Sequence, residues 1–78
     1  MLYTYETKKQ LSKRYAVSVS TVDNRQKEIK KLIGKRYPEE AFLDNGRIHR
    51  IRSDVFDDIM IYGDRIAAGV APEFRGRD

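Results

Sequence analysis

Two helical patterns are separated by only three residues, Ala16-Val17-Ser18, within the stretch YAVSVSTVDNR that runs from Tyr15 to Arg25. A connection this short obliges consecutive helices to pack on each other at a steep angle. Such packing needs a small residue where the first helix is crossed, another at the turn, and branched apolar residues on the inner face of the second helix. Ser12, Ala16 and Val22 stand at those places, with Leu11 and Val17 beside them. Thr7-Lys8-Lys9-Gln10 has the form of a capping box and predicts a first helix over 8–15. Ser18 is a good N-cap for a second helix starting at Val19. In it Val22, Ile29, Leu32 and Ile33 recur at helical spacing, with Lys27, Lys30 and Lys31 on other faces. That helix is expected to stop near Gly34, ahead of Pro38.

Downstream, AFLDNGRIHRI sets Asn45-Gly46 between residues that favour strands. A two-residue type I′ turn needs positive φ at both positions, which Asn-Gly accommodates, so a hairpin with strands over 41–44 and 47–51 is expected. Glu39-Glu40-Ala41 suits a short turn before it. Ser53 is expected to cap a last helix whose opening residues Asp54, Asp57 and Asp58 bring negative charge to the helix dipole. Val55, Phe56, Ile59, Met60 and Ile66 form its apolar stripe. Leu2, Tyr3 and Tyr5 fit either a short strand or an extra turn of helix. The fold class that follows is mainly α with a small β-hairpin, in one domain over 1–68 with a flexible tail over 69–78.

A chain of 78 residues has room for one modest core and for no large catalytic pocket. It has no cysteine, hence no disulfide or thiolate zinc site, and its one histidine, His49, cannot build a metal centre alone. Neither a nucleophile–base pair nor a Gly-rich phosphate loop is present, so a non-enzymatic protein without a cofactor is expected. The start MLYTYETKKQ lacks the apolar run of a signal peptide, and no segment approaches the roughly 20 apolar residues of a membrane span, which points to a cytoplasmic, nucleoid-associated protein. Charge is unevenly spread within the net +4: residues 1–36 hold ten Lys/Arg and three Asp/Glu, whereas residues 53–78 hold three basic and six acidic residues. A basic N-terminal half suits a polyanion, and an acidic C-terminal segment gives a face that nucleic acid would repel. The same basic half also suits an acidic protein partner.

Ser12, Ala16 and Val22 follow the pattern of the helix-turn-helix unit, in which a small residue is followed four positions later by a turn Gly or Ala and six further on by Val or Ile. The alternative is an ordinary helical hairpin with serine caps. Arg25 stands where the pattern is usually apolar. Either its stem lies along the core edge with the guanidinium outward, or the helix is rotated to use Ile29. In such a unit the first exposed turn of the second helix, with Val19, Ser20, Asp23 and Asn24, faces base edges of double-stranded DNA. Asn24 suits bidentate bonding to adenine, Val19 a thymine methyl and Ser20 several edges, while Asp23 either accepts from a cytosine amine or discourages non-specific binding. Ser18, Arg25, Lys27 and Lys30 are placed to hold phosphates.

With the order helix, turn, helix, hairpin, helix, the segments VSVSTV and DNGRIHRIRSDVFDDI carry a likeness over about residues 5–66. The chain resembles the excisionase-type, MerR-like winged helix-turn-helix DNA-binding domains of mobile elements. That resemblance implies a wing in which Arg47, His49 and Arg50 touch the minor groove or backbone. It also implies an accessory protein that bends DNA and helps a recombinase or integrase release a mobile element, with copies associating cooperatively on DNA. Small phage or plasmid transcription regulators use the same domain. The family's second helix runs quickly into a glycine and a proline, whereas KEIKKLIGKRY is expected to prolong it here, either carrying Tyr37 into the core or marking a related but distinct group.

Overall fold

In the computed structural model, which describes residues 4–44 and 49–74, side-chain caps open the first two helices. Following the short strand β1 (Tyr5–Thr7), Thr7 Oγ1 accepts the Gln10 N–H at 3.2 Å and Gln10 Oε1 accepts the Thr7 N–H at 2.9 Å. This closed capping box starts α1, Lys8–Tyr15. Ser18 Oγ accepts the Thr21 N–H at 3.2 Å and starts α2, Val19–Leu32. The second helix is not prolonged through GKRY. Gly34 takes φ +83°, a conformation that costs glycine little, and the N–H groups of Lys35, Arg36 and Tyr37 all turn back to the Leu32 carbonyl, at 3.0, 2.8 and 3.1 Å. Tyr37 therefore enters the core from a turn.

A 3-10 turn over Glu39–Ala41 leads into β2 (Phe42–Asp44), β3 (His49–Arg52) and α3 (Ser53–Ala68). The sheet has three antiparallel strands in the order β1-β3-β2, so Tyr5–Thr7 contributes a strand to what the sequence predicts as a hairpin, while Leu2 and Tyr3 lie outside the described residues. Tyr5 pairs with Arg52 and Thr7 with Arg50 on one side of β3; Phe42 pairs with Ile51 and Asp44 with His49 on the other. Ala41, expected to begin a strand, belongs to the preceding turn and is buried. Asn45-Gly46 and Arg47 lie outside the described residues. The chain is mainly helical with a small three-stranded antiparallel sheet.

Ser53 does not cap α3. Its N–H bonds the Thr4 carbonyl at 2.8 Å, continuing the β1–β3 ladder by one step, and its hydroxyl is buried without a hydrogen-bond partner among the described residues. The helix begins at Ser53 itself, and Asp54 takes over the capping by accepting the Val55 N–H at 2.8 Å. Arg52 grips the same carboxylate through two bonds of 2.7 and 2.8 Å, and both side chains are buried. Arg52 is thus part of the interior.

Asp57 and Asp58 lie beyond the first turn of α3, and instead of meeting the dipole they tie α3 to the rest of the domain. Tyr15 donates its phenol to Asp57; Arg14 reaches that carboxylate at 2.8 Å and Glu6 at 2.6 Å. Arg36 bonds Asp58 at 2.9 and 3.1 Å, and Tyr37 donates to it at 2.6 Å. Two Lys-Arg-Tyr tripeptides, 13–15 and 35–37, therefore receive two adjacent aspartates. The carboxylates raise the guanidinium groups further above their ordinary value, Arg14 chiefly through Glu6 and Arg36 chiefly through Asp58. Between these ties lies the core, in which Leu11, Val22, Ile29, Tyr37, Ala41, Ile51, Val55, Phe56 and Ile59 are buried. Tyr15 leans on Phe56 with ring centroids 5.4 Å apart. Beyond Gly69 the chain is irregular to Phe74, whose ring meets Tyr37 edge-on at 5.2 Å.

Breaking the buried pair should be costly, because removing one partner strands the other charge. Asp54→Ala is expected to lower unfolding free energy by about 3–5 kcal/mol in urea titrations, and the double change with Arg52→Ala should cost less than the two single changes added. Alkali should also find a weak point. Burial first, then the bond to Asp57, pushes the Tyr15 phenol up to about 12, and Tyr37 is raised for the same reasons with Asp58. Unfolded tyrosine ionises near 10, so this stabilisation is full below that pH and is lost as pH climbs through about 12. Tyrosinate absorbance should show Tyr15 and Tyr37 titrating late in the native protein, with the unfolding midpoint falling over the same range and less steeply in Tyr15→Phe.

Candidate nucleic-acid interface

The turn between α1 and α2 is held by its own residues. Ala16 adopts φ 54° and ψ 44°, left-handed backbone that L-residues with a Cβ disfavour. Ser12 explains how it persists: its carbonyl accepts the Val17 N–H at 3.0 Å while its hydroxyl donates to the Val17 carbonyl at 2.6 Å. The small residue at position 12 both admits the neighbouring helix and bonds the turn. Ser18, expected on a phosphate, spends its hydroxyl on the cap.

With Val22 and Ile29 fully buried, a helical period of 3.6 residues puts Ser20, Asn24, Lys27 and Lys31 in one row on the opposite side of α2, and all four are exposed. Val19 borders this row and is 45% exposed, so its isopropyl group is available to an apolar partner. Asp23 is set apart, since Lys8 of α1 pairs with its carboxylate at 2.5 Å. Arg25 is half-buried with its guanidinium on Glu28 at 3.0 Å, and the core position on this side of the helix is filled by Ile29. Lys30 is exposed at the flank, its ammonium 5.8 Å from the Phe42 ring centre.

His49 and Arg50 are both exposed, but as neighbours on β3 they point to opposite faces of the sheet. Arg50 shares its face with Thr7 and Leu43, its cross-strand partners. The sequence reading missed Lys31, which the period of α2 already places four residues after Lys27, and Lys8, whose role emerges only when α1 meets α2. It also anticipated an acidic face. Three of the acids that compose it, Asp54, Asp57 and Asp58, are turned onto Arg52, Arg14 and Arg36.

A concavity of about 670 Å3 opens elsewhere, between Tyr5, Arg36, Tyr37, Arg52 and Phe74. Its two arginines already hold Asp58 and Asp54, and of its other lining residues Lys35 and Glu40 carry opposite charges. Among the described residues no cluster of His, Cys, Asp or Glu is suited to a metal ion, and no helix is long and apolar enough to cross a membrane. Comparison with models of protein families, with curated proteins and with solved structures finds no match to this chain.

The strained turn residue offers a direct check on this geometry. Ala16→Gly should raise stability by about 1 kcal/mol, because glycine occupies left-handed backbone without the Cβ penalty. Thermal and urea unfolding of the two proteins measures the difference.

Proposed function

We propose that the protein binds double-stranded DNA sequence-specifically through a winged helix-turn-helix, with α2 as the helix that enters the major groove. The observation that carries this reading is the exposed row Ser20, Asn24, Lys27 and Lys31 on a helix that follows a three-residue turn. In helix-turn-helix units the start of the second helix faces base edges while the first helix crosses the backbone. The chemistry of the row changes accordingly along its length, from hydroxyl and amide to ammonium groups. Ser20 and Asn24 bond base edges, Val19 meets a thymine methyl, and Lys27 and Lys31 hold phosphates, giving affinity and register without sequence choice. Asp23 and Arg25 take smaller parts, each being engaged by a neighbour. Strands β2 and β3 serve as the wing, with Arg50 exposed on it.

The narrower role is that of an excisionase-type accessory protein, which bends DNA and helps a recombinase or integrase release a mobile element, several copies cooperating on adjacent sites. It rests on the resemblance carried by VSVSTV and DNGRIHRIRSDVFDDI. A small phage or plasmid transcription regulator is the second reading from the same resemblance, and the two part company in an excision assay with the cognate recombinase.

Affinity and specificity should reside on different residues. Asn24→Ala is expected to cost about 1–3 kcal/mol on the preferred duplex and little on a scrambled one. Lys27→Ala should weaken both alike and lower the slope of log affinity against log salt by roughly one. Binding isotherms at two salt concentrations measure both. Equal loss on the two duplexes for Asn24→Ala, or no DNA binding by the unaltered protein, would remove α2 from base reading and favour an acidic protein partner.

A further inference from the structure

Three more cations gather away from the row on α2. Lys9 and Lys13 lie one turn apart on the exposed side of α1, and together with Arg50 of β3 they line a concavity of about 380 Å3 whose other walls are Tyr5, Thr7 and Gln10. No carboxylate lines it. Among the described residues none of the three cations has an acidic partner, although Lys8, Arg14, Arg25, Arg36 and Arg52 each have one.

The arrangement is unfavourable for the protein by itself. Lys9 occupies the first turn of α1, where the helix dipole repels a cation and no acid offsets it. Lys9 and Lys13 are spaced i, i+4, which sets like charges side by side. Arg50 then adds a third positive charge from the facing strand. Lys8, equally misplaced with respect to the dipole, is compensated by Asp23; this group is not. Local charge chosen against stability is the signature of a group that meets its counter-charge on binding.

We propose that this concavity is a second anion site, which takes one phosphodiester of the DNA backbone flanking the segment faced by α2. The proposal rests on the DNA reading above. Arg50 brings a planar fork suited to two phosphate oxygens, and the two ammonium groups supply charge without demanding geometry. Because the site lies between α1 and the sheet, it adds register from a part of the domain that carries none of the base-reading side chains.

The test compares two doubly substituted proteins that have lost the same charge: Lys9→Gln with Lys13→Gln, and, as control, Lys35→Gln with Arg65→Gln, both exposed and neither lining this concavity. Binding of a specific duplex is measured from 0.05 to 0.5 M salt, alongside thermal unfolding and binding of a poly-glutamate peptide (salt range on the order of that over which counterion release is resolved). The Lys9/Lys13 protein should bind the duplex about tenfold more weakly at 0.1 M salt, with a salt slope lower by about one, and Arg50→Gln should act in the same direction. Its unfolding midpoint should equal or exceed that of the unaltered protein, and the control should keep nearly full affinity. Equal losses in the two proteins would reduce the effect to net charge and overturn the site. So would a Lys9/Lys13 effect on poly-glutamate with none on DNA, which would assign the concavity to an acidic peptide. If the unaltered protein binds no duplex, the DNA reading falls and takes this one with it; if it binds and the Lys9/Lys13 protein binds equally well, only the second site falls.

Discussion

Two adjacent carboxylates on one helix hold this domain together. Asp57 receives Arg14 and Tyr15 from the end of α1, and Asp58 receives Arg36 and Tyr37 from the turn after α2. Neighbouring residues on a helix point about 100° apart, so consecutive aspartates reach two different partners and brace α3 against both preceding segments at once. The tyrosine in each case has a double role: its ring fills space beside Phe56 or Phe74 while its hydroxyl completes the carboxylate's bonding. In a chain with this little interior, such polar bracing supplements an apolar core too small to fix three helices on its own.

The bracing divides labour between the two basic residue types. Arg14, Arg25, Arg36 and Arg52 hold carboxylates, as Lys8 does, while among the described residues Lys9, Lys13, Lys27, Lys31 and Arg50 are exposed without one. Guanidinium suits internal ties because its planar fork matches a carboxylate and it is weakly hydrated; ammonium, a strongly hydrated point charge on a flexible stem, suits a surface that meets an irregular polyanion. Of the acids that the composition assigns to a repelling face, Asp54, Asp57 and Asp58 are spent on these internal ties, while Asp64 and Glu73 stay exposed.

What was legible in the sequence was local chemistry. The Thr7 box and the Ser18 cap each involve residues within one helical turn and the apolar period of α2 stays within one helix, and the helices start where those signals stand. The exposed row on α2 follows from the same period. Contacts between distant segments were not legible. Ser53 reads as a cap until Thr4 claims its N–H, which draws residue 53 into line with the sheet and starts α3 one residue early. Asn45-Gly46, taken as a two-residue turn, would set Asp44 opposite Arg47, whereas the strands pair Asp44 with His49; the shift by two keeps every side chain on its face, so the hydrophobic pattern is blind to it.

The strand order has a further consequence for how the domain assembles. In β1-β3-β2 the central strand is the last of the three along the chain, and β1 has no pairing partner until β3 is in place. During synthesis α1 and α2 leave the ribosome well before β3, and so spend that interval without the sheet that carries Ile51 to the core and without the helix that receives both tyrosines. The domain is therefore closed from its C-terminal half, which supplies the last of the contacts that the two-helix unit packs against.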